Sequence, residues 1–219
     1  MSRSAQKKDL IRPVRREARR LMARGRGSHG FDHVKRVLSL SLHLGREAGA
    51  DLEVLTLAAL LHDIGRSEED RTAGKSCHAE VGSREAGAIL RRHGASPATL
   101  RKVRDCVRQH RFRGDVAPVS LEAKILFDAD KLDSLGAVGI GRAFLFAGEV
   151  GARLHNTAAE AGKAAPYSAG DTAFREYQVK LRNLPRRMKT PEGRRMGRER
   201  AAFMEGFFRR LTAETKGME

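Results

Sequence analysis

No apolar run in this 219-residue chain approaches the length of a membrane-spanning helix, which needs roughly 18 consecutive apolar residues. The longest run, Val54 to Leu61, is broken by Thr56. No short apolar block follows the basic N-terminus, which argues against a secretory leader. Cysteine is scarce: Cys77 and Cys106 cannot form a disulfide framework or a four-thiolate zinc site, and a reducing cytoplasm is the expected location. The chain also lacks an alternating strand pattern of useful length, a nucleotide-binding glycine fingerprint and an internal repeat. The expected fold class is all-α.

What is abundant is positive charge. There are 43 Lys and Arg against 27 Asp and Glu, a formal net charge of +16. The excess lies at the ends: residues 1–30 carry ten basic and two acidic side chains, residues 175–219 thirteen and six, and the stretch between twenty and nineteen. A basic patch fits nucleic acid, an anionic surface or small anionic substrates. A solvated face of a core-packing helix is the plainer alternative. An arginine-rich, acid-poor start also echoes a transit peptide, against which Asp9 and Glu17 stand.

The apolar spacing predicts a series of helices. Leu10, Ile11, Val14, Leu21 and Met22 form one stripe near the N-terminus; Phe203, Met204, Phe207, Phe208 and Leu211 form another near the C-terminus. Between them, helices are expected from Asp32 to Gly49, from an Asp51 N-cap to Gly65, over about 77–93, and from Ser96-Pro97 to His110. Others follow at Leu121 to Leu132 and Ile140 to His155. Residues 156–170, small and polar, read as a mobile loop.

Chemistry concentrates in a few positions. His62 and Asp63 end the most apolar helix, with Leu55 and Ala59 beneath them; a carboxylate leaning inward there needs a cation or strong hydrogen bonds. His33 lies on the stripe of Val37, Leu40 and Leu44, whereas His43 is displaced from it. Asp130 and Asp133 share the face of Leu126, and Asp128 points roughly opposite, as a surface residue would. His33, His62, Asp63 and Asp130 together offer two imidazoles and two carboxylates. That mix suits Mn²⁺, Fe²⁺, Co²⁺, Ni²⁺ or Zn²⁺ rather than an oxygen-lined calcium cage. The HD dipeptide is common by chance, and a histidine that merely packs in the core is the alternative. His110 continues an inward stripe, and His78 sits at a helix start, where free backbone N–H groups favour anions. Glu68, Glu69 and Asp70 read as a solvated acidic run.

Six segments in order carry a resemblance: SHGFDHVKRV, AALLHDIGR, CHAEVGSREA, RQHRF, ILFDADKLDSLGAVGIGRAF and RMKTPEGRRMGRERAAFMEGFFRRL. Over about 28–215 the chain resembles the compact bacterial type of the HD-domain superfamily of metal-dependent phosphohydrolases. The resemblance implies an HD-domain-like helical bundle with flanking helices. Its expected parts are a basic N-terminal helix (1–27), a metal-binding core (28–155), the loop (156–170) and C-terminal helices completing the same domain (171–219). It assigns one divalent transition metal, with Mg²⁺ as a further option, to His33, His62, Asp63 and Asp130.

The function it implies is hydrolysis of a phosphate ester or anhydride of a small substrate, a nucleotide foremost, by metal-activated water. Asp130 or Asp133 would take or hold the water's proton, and Lys131 would meet the phosphate unless it is a surface lysine. His78 and His110, which hold a second ion in two-metal relatives, are expected here to contact substrate or to serve as an acid, with orientation of the first ligands as the alternative. Two departures stand out. Arg66 occupies the position three residues after the HD aspartate where some relatives have a catalytic glutamate, and is a candidate phosphate clamp. Glu176-Tyr177 replaces a histidine–aromatic pair. The competing functions are a non-catalytic RNA-binding or sensor module and a metal-dependent nuclease. No membrane partner is expected, and a homodimer is compatible with the sequence.

Overall fold

The protein is described by a computed structural model covering residues 9–23, 30–72, 75–111 and 117–218, without the side chain of Asp70. Expectations for residues 1–8, for Ser28 and His29 of the first motif and for Phe112 lie outside the described residues. Among the described residues every regular element is helical, and none is long and apolar enough to cross a membrane. The described chain forms two compact units, divided after Leu126.

In the first unit α1 (Ile11–Met22) buries Leu10, Val14, Ala18 and Met22 at four-residue spacing. It packs on α3 and leaves Arg12, Arg15, Arg16, Arg19 and Arg20 exposed. Leu21 falls off the stripe and is exposed. Glu17 ties α1 down by pairing with Arg92 and, at 3.0 Å, with His93 Nε2. Helix α2 (Phe31–Ala48) stops at Gly49, whose φ of +68° is the left-handed conformation glycine adopts without a Cβ penalty. Asp51 then caps α3 (Leu52–Leu61) by accepting from Val54 N at 3.2 Å.

Every residue from Val54 to Leu61 is buried, as a helix apolar on all sides must be. Each such leucine contributes about 1.5–3 kcal/mol through burial. The helix ends at Leu61 rather than Gly65; His62 to Gly65 form a turn that enters the short α4 (Arg66–Arg71). The turn follows from a close approach. A Cβ on Gly65 would collide with the carbonyl oxygen of His78 and come within 2.6 Å of Gly82 N. Only glycine therefore lets α5 (His78–Arg92) lie against the HD turn. Helix α6 (Pro97–Gln109) opens as its sequence predicts, with Ser96 Oγ accepting from Thr99 N at 3.1 Å and Pro97 in the first turn. It packs on α3 and α5.

The division falls inside α7 (Leu121–Leu132). In the second unit α8 (Gly136–Glu149) starts and ends earlier than Ile140 to His155. Gly136 (φ +70°) and Gly151 (φ +67°) set its limits. The expected loop contains a helix, α9 (Ala158–Lys163), closed by a capping box between Thr157 and Glu160. Helix α10 (Ala173–Val179) and a 3-10 helix (Leu181–Arg187) lead to α11 (Pro191–Glu214). The α11 stripe is narrower than its pattern: Met204 and Phe208 are buried, with Phe208 stacked on Tyr177 at 4.5 Å, while Phe203 is exposed.

Candidate metal centre

Four imidazoles of the first unit meet around one carboxylate, that of Asp63. His33 comes from the first turn of α2, His62 and Asp63 from the turn after α3, His78 from the first residue of α5, and His110 from the end of α6. All five are buried. Asp63 Oδ2 lies 3.7 Å from His33 Nε2 and 3.8 Å from His62 Nε2. Its Oδ1 lies 3.7 Å from His78 Nε2 and 3.5 Å from His110 Nε2. These separations sit at or beyond the reach of a hydrogen bond.

The outer ring nitrogens explain why the inner ones face Asp63. His62 Nδ1 donates to Ala59 O at 2.8 Å, and His110 Nδ1 donates to Val107 O at 2.6 Å. A carbonyl oxygen only accepts, so Nδ1 of each ring carries a proton and Nε2 is the atom left to face Asp63. His78 Nδ1 is matched to the carboxylate of Glu69 at 2.8 Å. Burial foremost, then the charges of His110 and Arg66, push His78 down to about 2, which keeps the ring neutral. Burial opposes ionisation of Asp63, yet Arg66, His62, His110 and His33 together hold its carboxyl well below the usual range.

Glu69 is the residue that sequence reasoning missed. It is not part of a solvated acidic run: its carboxylate pairs with His78, with Arg66 Nη1 at 3.1 Å and with Arg111 Nη2 at 3.0 Å. Arg66 also reaches Asp63 Oδ1 at 3.1 Å. Its guanidinium thus serves two carboxylates of the centre while remaining 30% exposed. The nine-residue separation of Glu69 and His78 offers no helical periodicity to reveal the contact; the turn at Gly65 creates it.

In the second unit Asp128, Asp130 and Asp133, at and just after the end of α7, are sorted differently from the helical-wheel reading. Asp128 is fully buried rather than on the surface. It accepts from Lys189 N, Thr190 N and Thr190 Oγ1, each at 2.7 Å, because the segment opening α11 covers that face of α7. Asp133 is buried and paired with Arg142 at 2.9 Å. Asp130, 18% exposed, is the most accessible of the three and pairs with Lys131 at 2.7 Å. Lys131 is buried rather than a surface lysine, its Nζ 4.6 Å from the centre of the Phe127 ring.

The first-unit donors fit a divalent transition ion. His33 Nε2 and His62 Nε2 are 3.2 Å apart, close enough to serve as neighbouring ligands of one ion. Asp63, His78 and His110 each offer a ligand atom, all within 4.8 Å of one another. Neutral imidazole with carboxylate is the chemistry such ions prefer.

Residues 30–135 match the family model described as the HD domain. Over 195 residues the chain is 32% identical to the uncharacterized protein YpgQ of Bacillus subtilis, covering 87% of this chain and 86% of that one. It is similar in structure to B. subtilis YpgQ crystallised in complex with ADP (TM-score 0.72, 28% identity, 92% and 93% of the two chains). It is likewise similar to a predicted HD superfamily hydrolase from an uncultured Thermotogales bacterium (TM-score 0.63, 28% identity, 94% and 90%). Ribonuclease Y of Cutibacterium acnes is 33% identical over 108 residues, 49% of this chain but only 18% of that protein.

Proposed function

The chain belongs to the HD-domain family, and from that premise we propose that it is a metal-dependent phosphohydrolase cleaving a phosphate ester or anhydride of a nucleotide. The HD-superfamily hydrolase fold supports metal-dependent phosphohydrolysis in general. The observation that carries the reading is the Asp63 carboxylate faced by four imidazole Nε2 atoms at 3.5–3.8 Å. The nucleotide is suggested by the ADP in the B. subtilis relative's crystal structure.

His33, His62 and Asp63 would hold the ion, with Asp130 assigned to the same set by the family resemblance alone. A divalent ion, when bound, supplies a Lewis acid that polarises a phosphoryl oxygen and lowers the pKa of water. Asp130, more accessible than Asp128 and Asp133, would receive the water's proton. Asp133, buried and paired with Arg142, is less open to water than Asp130. Lys131 would bring its charge to the phosphate. Asp63, His78 and His110 offer three ligand atoms within 4.8 Å of one another, which supports a second cation there. Arg66, paired with Asp63 and Glu69, orders the carboxylates and offers its exposed edge to an anion.

Metal analysis of the purified protein, followed by a nucleotide panel with Mn²⁺, Co²⁺, Ni²⁺, Zn²⁺, Fe²⁺ and Mg²⁺, tests the reading. Release of pyrophosphate or orthophosphate supports it and distinguishes the bond cleaved. Turnover that persists in Asp63→Ala or His62→Ala overturns it. A polynucleotide substrate is the second reading, favoured by the exposed Arg182, Arg186, Lys189, Arg194 and Arg198 of the second unit. Cleavage of oligonucleotides but not mononucleotides would select it.

A further inference from the structure

Three of the histidines around Asp63 take their orientation from acceptors of different kinds. His62 and His110 lean on carbonyls three residues before them, Ala59 O and Val107 O, so local helical geometry fixes those rings. His78 opens its helix and takes its acceptor from another element: Glu69 Oε2, at 2.8 Å. The same oxygen accepts from Arg66 Nη1 at 3.1 Å, and Oε1 meets Arg111 Nη2 at 3.0 Å. Glu69 is thus the junction of an imidazole and two guanidiniums, and its side chain is only 12% exposed.

We propose that Glu69 is a positioning residue of the metal centre: by accepting from His78 Nδ1 it fixes the ring in the tautomer that turns the Nε2 lone pair towards Asp63, and by pairing with Arg66 and Arg111 it holds two cations beside that ring. A carboxylate that accepts from an imidazole N–H fixes tautomer and ring direction and raises the basicity of the opposite nitrogen. Without Glu69 the ring can place its proton on Nε2, where it faces Asp63 Oδ1 at 3.7 Å. A proton at that nitrogen competes with any cation for the same lone pair.

The test has a structural and a kinetic arm, and only the kinetic arm rests on the proposed hydrolysis. In the first, long-range ¹H–¹⁵N correlations are recorded on the chelated 219-residue chain labelled at the histidine ring nitrogens, with His78 assigned by loss of its signals in His78→Gln. Wild type is expected to show a protonated Nδ1 and a lone-pair-bearing Nε2. Glu69→Gln should preserve this pattern, because two donors meet at Oε2 and orient the amide oxygen there; Arg111 then loses its partner. Glu69→Ala should lose the pattern while its circular dichroism stays that of wild type.

In the second arm, Glu69→Ala is expected to lower kcat about 10- to 100-fold, the usual effect of removing a partner of a metal-site histidine. Glu69→Gln should restore most of kcat, with the remaining defect in KM. A proton on Nε2 in wild type overturns the proposal whatever the variants do, including if Glu69→Ala does not fold. So does a Glu69→Ala protein with wild-type tautomer, or one whose tautomer changes with kcat intact. Absence of turnover in wild type would defeat the proposed function and leave the tautomer result standing.

Discussion

Asp63 and Asp128 are both buried carboxylates, and they solve the problem of burial in opposite ways. Asp128 accepts three hydrogen bonds at 2.7 Å, two of them from backbone N–H groups. Asp63 faces four imidazoles at 3.5–3.8 Å and draws its close support from Arg66. Burial foremost raises the Asp128 pKa even against its three bonds, whereas for Asp63 nearby positive charge overcomes burial. The contrast separates two uses of a buried acid. Short N–H donors convert it into a clasp between chain segments; imidazole nitrogens gathered around it make a ligand set for a cation. A Cβ on Gly193 would strike Asp128 Oδ2, a sign of how closely α11 is drawn onto α7 there.

The largest effect that could break this distinction is on metal content. Asp63→Asn should fold, bind no stoichiometric divalent ion and show no turnover above background, as measured by elemental analysis and product release. Asp128→Ala should do the reverse. It leaves the Lys189 and Thr190 donors unsatisfied, at a cost of about 3–5 kcal/mol for several buried groups, while metal per folded molecule is unchanged. Urea unfolding checks it, and a destabilisation below about 1 kcal/mol would erase the distinction.

Acid sharpens the comparison further. His78 falls from an ordinary 6.5 to about 2 in the fold, so the unfolded chain takes up its proton first. Its contribution to stability is complete above pH ~6.5 and declines as pH falls towards 2, by up to about 1.4 kcal/mol per pH unit. Asp63, also lowered, adds a loss only below its ordinary 3.8. Asp128, raised, has the opposite sign: the penalty of its buried charge is relieved on protonation. Metal-free His78→Gln should therefore show a flatter stability profile between pH 6.5 and 4 than wild type. The smallest expected effect is that of Thr190→Ala, which removes the α11 cap and one Asp128 donor but spares both backbone donors, at about 1–2 kcal/mol.

The sequence pattern was most informative where structure is local. Asp51, Ser96-Pro97 and Gly49 mark helix limits because capping acts within three or four residues, and Val14 and Met22 of the α1 stripe and Val37 and Leu44 of the α2 stripe lie on the buried faces. The position of His62 and Asp63 was readable from the apolar helix beneath them. What escaped depends on distant segments. A helical wheel puts Asp128 outside because it knows one covered face, and the second is covered by residues 61 and 62 positions later. Glu69 reads as solvated because its partners, His78 and Arg111, reach it through a turn and another helix. The α8 limits moved because glycines at 136 and 151, rather than apolar spacing, decide them.

Helix α1 bears on how the excess charge can be studied. Its outer side is a row of arginines, but its inner side is Val14, Ala18 and Met22 laid on α3. Cutting it away to remove the charge would uncover apolar wall and produce a sticky protein whose altered salt response says nothing about substrate. The helix is a shutter, not a tag. Its charge is better changed by repainting the outside, Arg15, Arg16 and Arg19 to glutamine, with Glu17 left in place as the latch on Arg92 and His93.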